Sequence, residues 1–170
     1  MRSLWIKNAS AIVTCDAKDT VLENAHILIC DGVITYIGSE LPAVPGADHG
    51  TDDKIAEKVT DKIADKVLDA SGCIVYPGLI NTHHHLYQTF SRNLPQVQNM
   101  ELFDWLKTLY EIWKNLDGDV IYQSSITGMG ELLRFGCTTC FDHHYVFPGG
   151  SSGALLEAQF AAAEALGIRM

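Results

Sequence analysis

His83, His84 and His85 follow the apolar run Cys73-Ile74-Val75-Tyr76-Pro77-Gly78-Leu79-Ile80, with only Asn81 and Thr82 between. The run reads as a β-strand. Alternate side chains on a strand share a face, so His83 and His85 point one way and His84 the other. Two imidazoles on one face at a strand end make half of a metal site. Imidazole suits zinc, iron, nickel or copper, and a catalytic zinc takes about three protein ligands and a water. The competing reading, a histidine cluster in a surface loop, is disfavoured by the strand-like run before it.

Other residues with chemical potential sit nearby in sequence or at a matching strand end. Gln88 comes three residues after His85, and its amide can both donate and accept across a ring edge. The competing reading is an exposed loop glutamine. Arg92 is a substrate contact or a surface ion-pair partner. Asp142-His143-His144-Tyr145 closes a second strand. His143 and His144 face opposite sides, so one looks toward the first histidines and the sequence does not say which. Cys137-Thr138-Thr139-Cys140 matches C-x-x-C, but on a strand positions three apart face opposite sides, which predicts buried, inert thiols.

The elements that must position these groups change character along the chain. Leu4–Asn8, Ala11–Thr14, His26–Cys30 and Val33–Gly38 read as short strands. Asp31-Gly32 is a two-residue hairpin turn between the last two. Together they predict a small N-terminal β-sandwich subdomain over 1–72. Within it, Asp53–Thr60 and Asp61–Leu68 are near-duplicates with a period of eight. Ile55, Val59, Ile63 and Val67 would share one helix face, and the charged copy reads as a tolerated insertion at 51–68. From residue 73 strands and helices alternate. The expected order is the histidine strand, helices over 101–116 and 120–135, a strand over 137–143, and a helix over 152–166. Such an α/β order, with histidines at a strand's C-terminal end, predicts about two and a half units of an eight-unit (β/α)8 TIM-type barrel, truncated at residue 170.

The block Pro77-Gly78-Leu79-Ile80-Asn81-Thr82-His83-His84-His85-Leu86-Tyr87-Gln88 resembles the first-strand signature of the metal-dependent amidohydrolase superfamily. Thr89-Phe90-Ser91-Arg92, Phe103-Asp104-Trp105-Leu106-Lys107-Thr108-Leu109-Tyr110 and Gly136–Pro148 extend the likeness to its aminohydrolase branch. That branch includes 8-oxoguanine deaminases and hydroxyatrazine-type triazine hydrolases. The resemblance implies one divalent metal ion, zinc or else iron, held by His83 and His85. It implies that Gln88 touches the heterocycle, and that a metal-bound hydroxide displaces an amine from a purine- or triazine-like ring. It also implies two further histidines, an aspartate and a proton-shuttling glutamate on later strands, so no catalytic residue is expected within 1–170 and little turnover from this segment alone.

Composition narrows the setting. With 170 residues, 47% hydrophobic and 19% charged, the chain can bury a real core. A formal charge of −9 disfavours nucleic-acid or anionic-membrane binding. No signal-peptide pattern or apolar span of membrane length stands out. Five cysteines fit a reducing compartment, so a cytoplasmic location is expected. The partner expected is a small heterocycle, with a homo-oligomer as a further expectation. Apart from the deaminase, two alternatives stand: a cyclic-amide hydrolase using the same metal chemistry, and a non-catalytic fragment or pseudoenzyme.

Overall fold

The computed structural model describes residues 3–41, 64–149 and 151–170, which fall into two compact units, Met1–Pro77 and Gly78–Met170. The first holds β1 (Ser3–Val13), β2 (Val21–Cys30), β3 (Val33–Gly38), β4 (Lys66–Asp69) and β5 (Ile74–Val75). β2 runs antiparallel to β1 and to β3, while β4 and β5 run parallel to β1. Asp31 and Gly32 turn the β2–β3 hairpin with φ of 49° and 82°, the left-handed pair that matches strand twist and that glycine and aspartate tolerate. Ala9, Ile12, Ala25, Ile27 and Ala70 form its core.

A sandwich was the expectation; the described residues of the first unit form one five-stranded sheet. The reason lies in β1. Its 11 residues take β2 along one edge and both β4 and β5 end to end along the other, so the short strands are consumed in a single layer. Most of the duplicated segment, including Ile55, Val59 and Ile63, lies outside the described residues. Val67 lies inside them, on β4 rather than on a helix face, because the edge of β1 supplies parallel partners.

In the second unit β6 (Leu79–His84) is followed by 3-10 turns at Leu86–Ser91 and Pro95–Val97. Then come α1 (Leu102–Trp113), α2 (Gly118–Arg134), β7 (Cys137–Asp142) and α3 (Ser152–Leu166). The run 73–80, expected as one strand, divides between the units. Ile74–Val75 pairs with β1 and Leu79 onward with β7, and Pro77 between them has no N–H to carry a ladder. β6 and β7 are parallel neighbours. Arg169 starts another parallel pairing: its N–H donates to the Thr138 carbonyl at 3.0 Å and its carbonyl accepts from Cys140 N–H at 2.8 Å.

The helices follow from local chemistry. Asp117 caps α2 by accepting from Val120 N–H at 2.9 Å, worth about 1 kcal/mol. α3 ends at Gly167, φ 71°, in the left-handed C-terminal conformation suited to glycine. Leu109 and Trp113 bury the inner face of α1 against Tyr87, Ile121 and Leu155, each large side chain contributing about 1.5–3 kcal/mol by burial. Trp113 Nε1–H donates to Ser91 Oγ at 3.1 Å. α2 approaches the turn after the histidines closely. A Cβ on Gly128 would lie 2.9 Å from Leu86 Cδ2 and 3.0 Å from Thr89 Oγ1, so a larger residue there would push on those two side chains.

Candidate metal centre

His83 and His85 converge at the C-terminal end of β6. Their Nε2 atoms are 3.2 Å apart, and their rings meet nearly at right angles. His84 turns the other way and is half-buried, with its Cε1 3.5 Å from where a Gly128 Cβ would sit. Burial holds its imidazole below the usual histidine range, with the Asp142 charge acting in the opposite sense.

The convergence is held by the end of β7. His85 Nδ1 lies 2.8 Å from the His143 carbonyl. A carbonyl only accepts, so Nδ1 carries the proton and Nε2 of the neutral ring keeps its lone pair. This is the arrangement that orients a ligating imidazole. His143 stacks on His83, ring centroids 4.4 Å apart, and its N–H donates to the His84 carbonyl at 2.7 Å. So His143 is the one that faces the pair, and it does so with its backbone and its ring face. His144 goes inward: its side chain is 3% exposed, its Nε2–H donates to the Val146 carbonyl at 2.9 Å, and its ring packs on Phe147 and Tyr87.

Behind the pair lies a buried carboxylate that sequence reasoning did not single out. Asp142, 1% exposed in its side chain, accepts the N–H of Leu86 at 2.6 Å and that of Gln159 Nε2 at 2.9 Å. Leu86 is the residue after His85, so Asp142 pins the backbone leaving the site. The only signal in the sequence was Gln159 itself, a polar residue on a helix rich in alanine and leucine.

Gln88 sits on the turn after β6 and shares a hollow of about 230 Å³ with His83, His84, His85, Thr89 and Arg92. Its Nε2 donates to the hydroxyls of Tyr87 and Tyr145, both at 3.1 Å. Arg92 makes a two-pronged ion pair with Glu131 at 2.9 and 3.0 Å and donates from Nε to the Thr89 carbonyl. Those contacts fasten the turn to α2. Cys137 and Cys140 are 5% and 3% exposed. Both are buried, as expected. Burial pushes the Cys140 thiol up to about 11, so it stays protonated and unreactive.

The geometry fits a metal. Zinc–nitrogen bonds of about 2.0–2.1 Å to two atoms 3.2 Å apart subtend about 100°, close to the tetrahedral value. Among the described residues no group of three or more His, Cys, Asp or Glu side chains is placed to hold an ion, and two imidazoles fall short of the about three protein ligands that a catalytic zinc takes.

Residues 74–170 match the amidohydrolase family. The chain belongs to that family. It is 37% identical over 171 residues to 8-oxoguanine deaminase of Pseudomonas aeruginosa, covering 99% of this chain and 33% of the relative. It is 36% identical over 165 residues to hydroxydechloroatrazine ethylaminohydrolase of Pseudomonas sp. strain ADP, covering 93% and 31%. The crystal structure of atrazine chlorohydrolase from Arthrobacter aurescens TC1 complexed with zinc superposes with a TM-score of 0.81 at 29% identity, covering 98% of this chain and 34% of that one. This family member therefore has a mixed α/β fold and spans about a third of the relatives' length. Its resemblance is to a hydrolase, with relatives named as deaminases or aminohydrolases. Among the described residues no helix is long and apolar enough to cross a membrane.

Proposed function

We propose that this chain is the front part of a metal-dependent aminohydrolase of purine- or triazine-like rings, supplying His83 and His85 to one divalent ion, zinc or iron. The observation that carries this reading is the 3.2 Å convergence of the two Nε2 atoms, with the His85 tautomer fixed by the His143 carbonyl. In the architecture proposed, residues 73–170 are the opening β/α units of a TIM-type barrel and residues 1–72 a composite β subdomain. Ligands at strand C-termini then face a common mouth.

A divalent ion held by His83 and His85 would supply a water acidified toward neutral pH, the nucleophile suited to a ring carbon that bears an amino group. The chain's own residues do the holding. His143 keeps the His85 lone pair aimed outward. Asp142 fixes the backbone behind it, and Gln88 offers its amide to the heterocycle. Asp142 is spoken for by Leu86 and Gln159, so the proton transfers and remaining ligands fall to other groups.

The test is metal content by mass spectrometry of the whole polypeptide beside a His83→Ala/His85→Ala variant, with ammonia release assayed on amino-substituted oxopurines and aminotriazines. Near-stoichiometric metal and turnover, both lost in the variant, are expected. Equal metal in the two proteins would remove the histidines from the site. Metal without turnover on any ring would favour a non-catalytic role.

A further inference from the structure

His143 follows the end of β7 and reaches both histidines of the pair, by two different means. Its carbonyl accepts the Nδ1–H of His85 at 2.8 Å. His83 has no such tie. Among the described residues its ring has one polar group within hydrogen-bond distance, Nε2 of His85 at 3.2 Å. What flanks His83 instead is the His143 ring, stacked on it with centroids 4.4 Å apart and planes 27° from parallel. Such a stack is attractive, and it fixes the plane in which the lone pair of a ligating imidazole must lie.

The His143 ring is itself held. Its Nε2–H donates to the Thr82 carbonyl at 3.3 Å, and Phe141 meets it edge-on with centroids 4.9 Å apart. Thr82 precedes His83, so the ring is tied to the strand that carries the pair as well as to its own. The same contacts argue against His143 as a third ligand. An ion lies in the plane of each imidazole that binds it, and two rings stacked nearly parallel send their lone pairs along nearly parallel lines rather than to one point. His85, by contrast, stands at 89° to His83, and their Nε2 atoms converge.

We infer that His143 is a positioning residue for His83: its ring face holds the plane of that imidazole, as its carbonyl holds the tautomer of His85, so the end of β7 presets both nitrogens before an ion arrives. The inference rests on the proposed role of His83 and His85 as metal ligands. Groups fixed beforehand lose less freedom on binding, and an aromatic pair of this kind is worth a factor of about 2 to 12.

The experiment uses the whole polypeptide and two variants at His143, an exposed residue. His143→Ala removes the ring, His143→Phe keeps a flat ring without nitrogens, and both leave a carbonyl for His85. Zinc affinity is read by competition with a chromogenic chelator. Ring contacts are read in the metal-free protein from proton–nitrogen correlation spectra of the imidazoles. His143→Ala should bind zinc about 2- to 12-fold more weakly, with the ring-current shift of the His83 protons lost and the His85 Nδ1–H tautomer kept. His143→Phe should restore the shift, and the affinity to within about 2-fold of wild type. Urea midpoints should agree among the three proteins, which separates loss of the stack from loss of the fold. Undiminished affinity in His143→Ala would overturn the inference. So would a loss in His143→Phe as large as that in His143→Ala, since the nitrogens and not the ring face would then be what matters. Wild type holding no more zinc than His83→Ala/His85→Ala would instead overturn the metal reading, and the inference with it.

Discussion

Replacing Asp142 by alanine should cost the second unit about 2–4 kcal/mol and loosen the His83–His85 pair. The side chain, 1% exposed, is the acceptor for Leu86 N–H at 2.6 Å and Gln159 Nε2 at 2.9 Å. Truncation leaves two donors facing no acceptor, each costing about 1–3 kcal/mol, hence about 2–6 kcal/mol together. Part is recovered because a buried carboxylate no longer has to be desolvated. Asp142→Asn keeps one oxygen but turns an N–H toward one of the donors, so a loss of about 1–3 kcal/mol is expected. The informative partner is Gln159, fully buried with its Oε1 already lacking a protein partner. Asp142→Ala combined with Gln159→Leu should cost less than the sum of the single changes, because leucine removes the stranded amide. Urea midpoints at constant slope give the stabilities, and competition against a chromogenic chelator gives zinc affinity. If Asp142→Ala unfolds within about 0.5 kcal/mol of wild type, the range of an ordinary surface change, the carboxylate is not the clamp described. Additivity with Gln159→Leu would refute the pairing.

Two further outcomes follow from buried groups. Burial holds His144 below the usual histidine range, against the opposing pull of its Val146 hydrogen bond and of Asp142; burial, then the charge of Lys7, does the same to His26. Below about pH 6.5 the unfolded chain takes up protons at these positions that the folded chain resists. Their stabilisation is therefore complete above that pH and is lost as pH falls toward the folded values, each by at most about 1.4 kcal/mol per pH unit. Urea midpoints should drop on acidification, and His144→Gln should lessen the drop; an unchanged drop would count against a neutral, buried His144. Exposed Cys15 and Cys73 should alkylate in native protein at about pH 8. Cys140, with its thiol pushed up to about 11, should be protected until denaturant is added, as peptide mapping would reveal.

The sequence by itself determined which residues form the candidate half-site and on what kind of element. Alternation along a strand is a covalent property of the extended chain, so His83 and His85 had to share a face with His84 opposed. The helices expected over 101–116, 120–135 and 152–166 stand at 102–113, 118–134 and 152–166 for a similar reason: apolar periodicity is a local signal. Only the tertiary structure decided what holds the pair. The His143 carbonyl, the Asp142 carboxylate and the Gln159 amide reach it from 58, 56 and 17 residues away along the chain, counted between the bonded partners. The same holds for the choice between His143 and His144, for Arg92 being tied to Glu131, and for the Tyr145 hydroxyl at Gln88. A side chain's local preference does not encode partners that distant; parallel pairing of β6 with β7 brings them together. In the first unit the β2–β3 hairpin and the stretches that merge into β1 were legible, but β4 and the layering were not, because the long edge of β1 was free to take β4 and β5 in tandem. That choice depends on which edges meet, and no local pattern carries it.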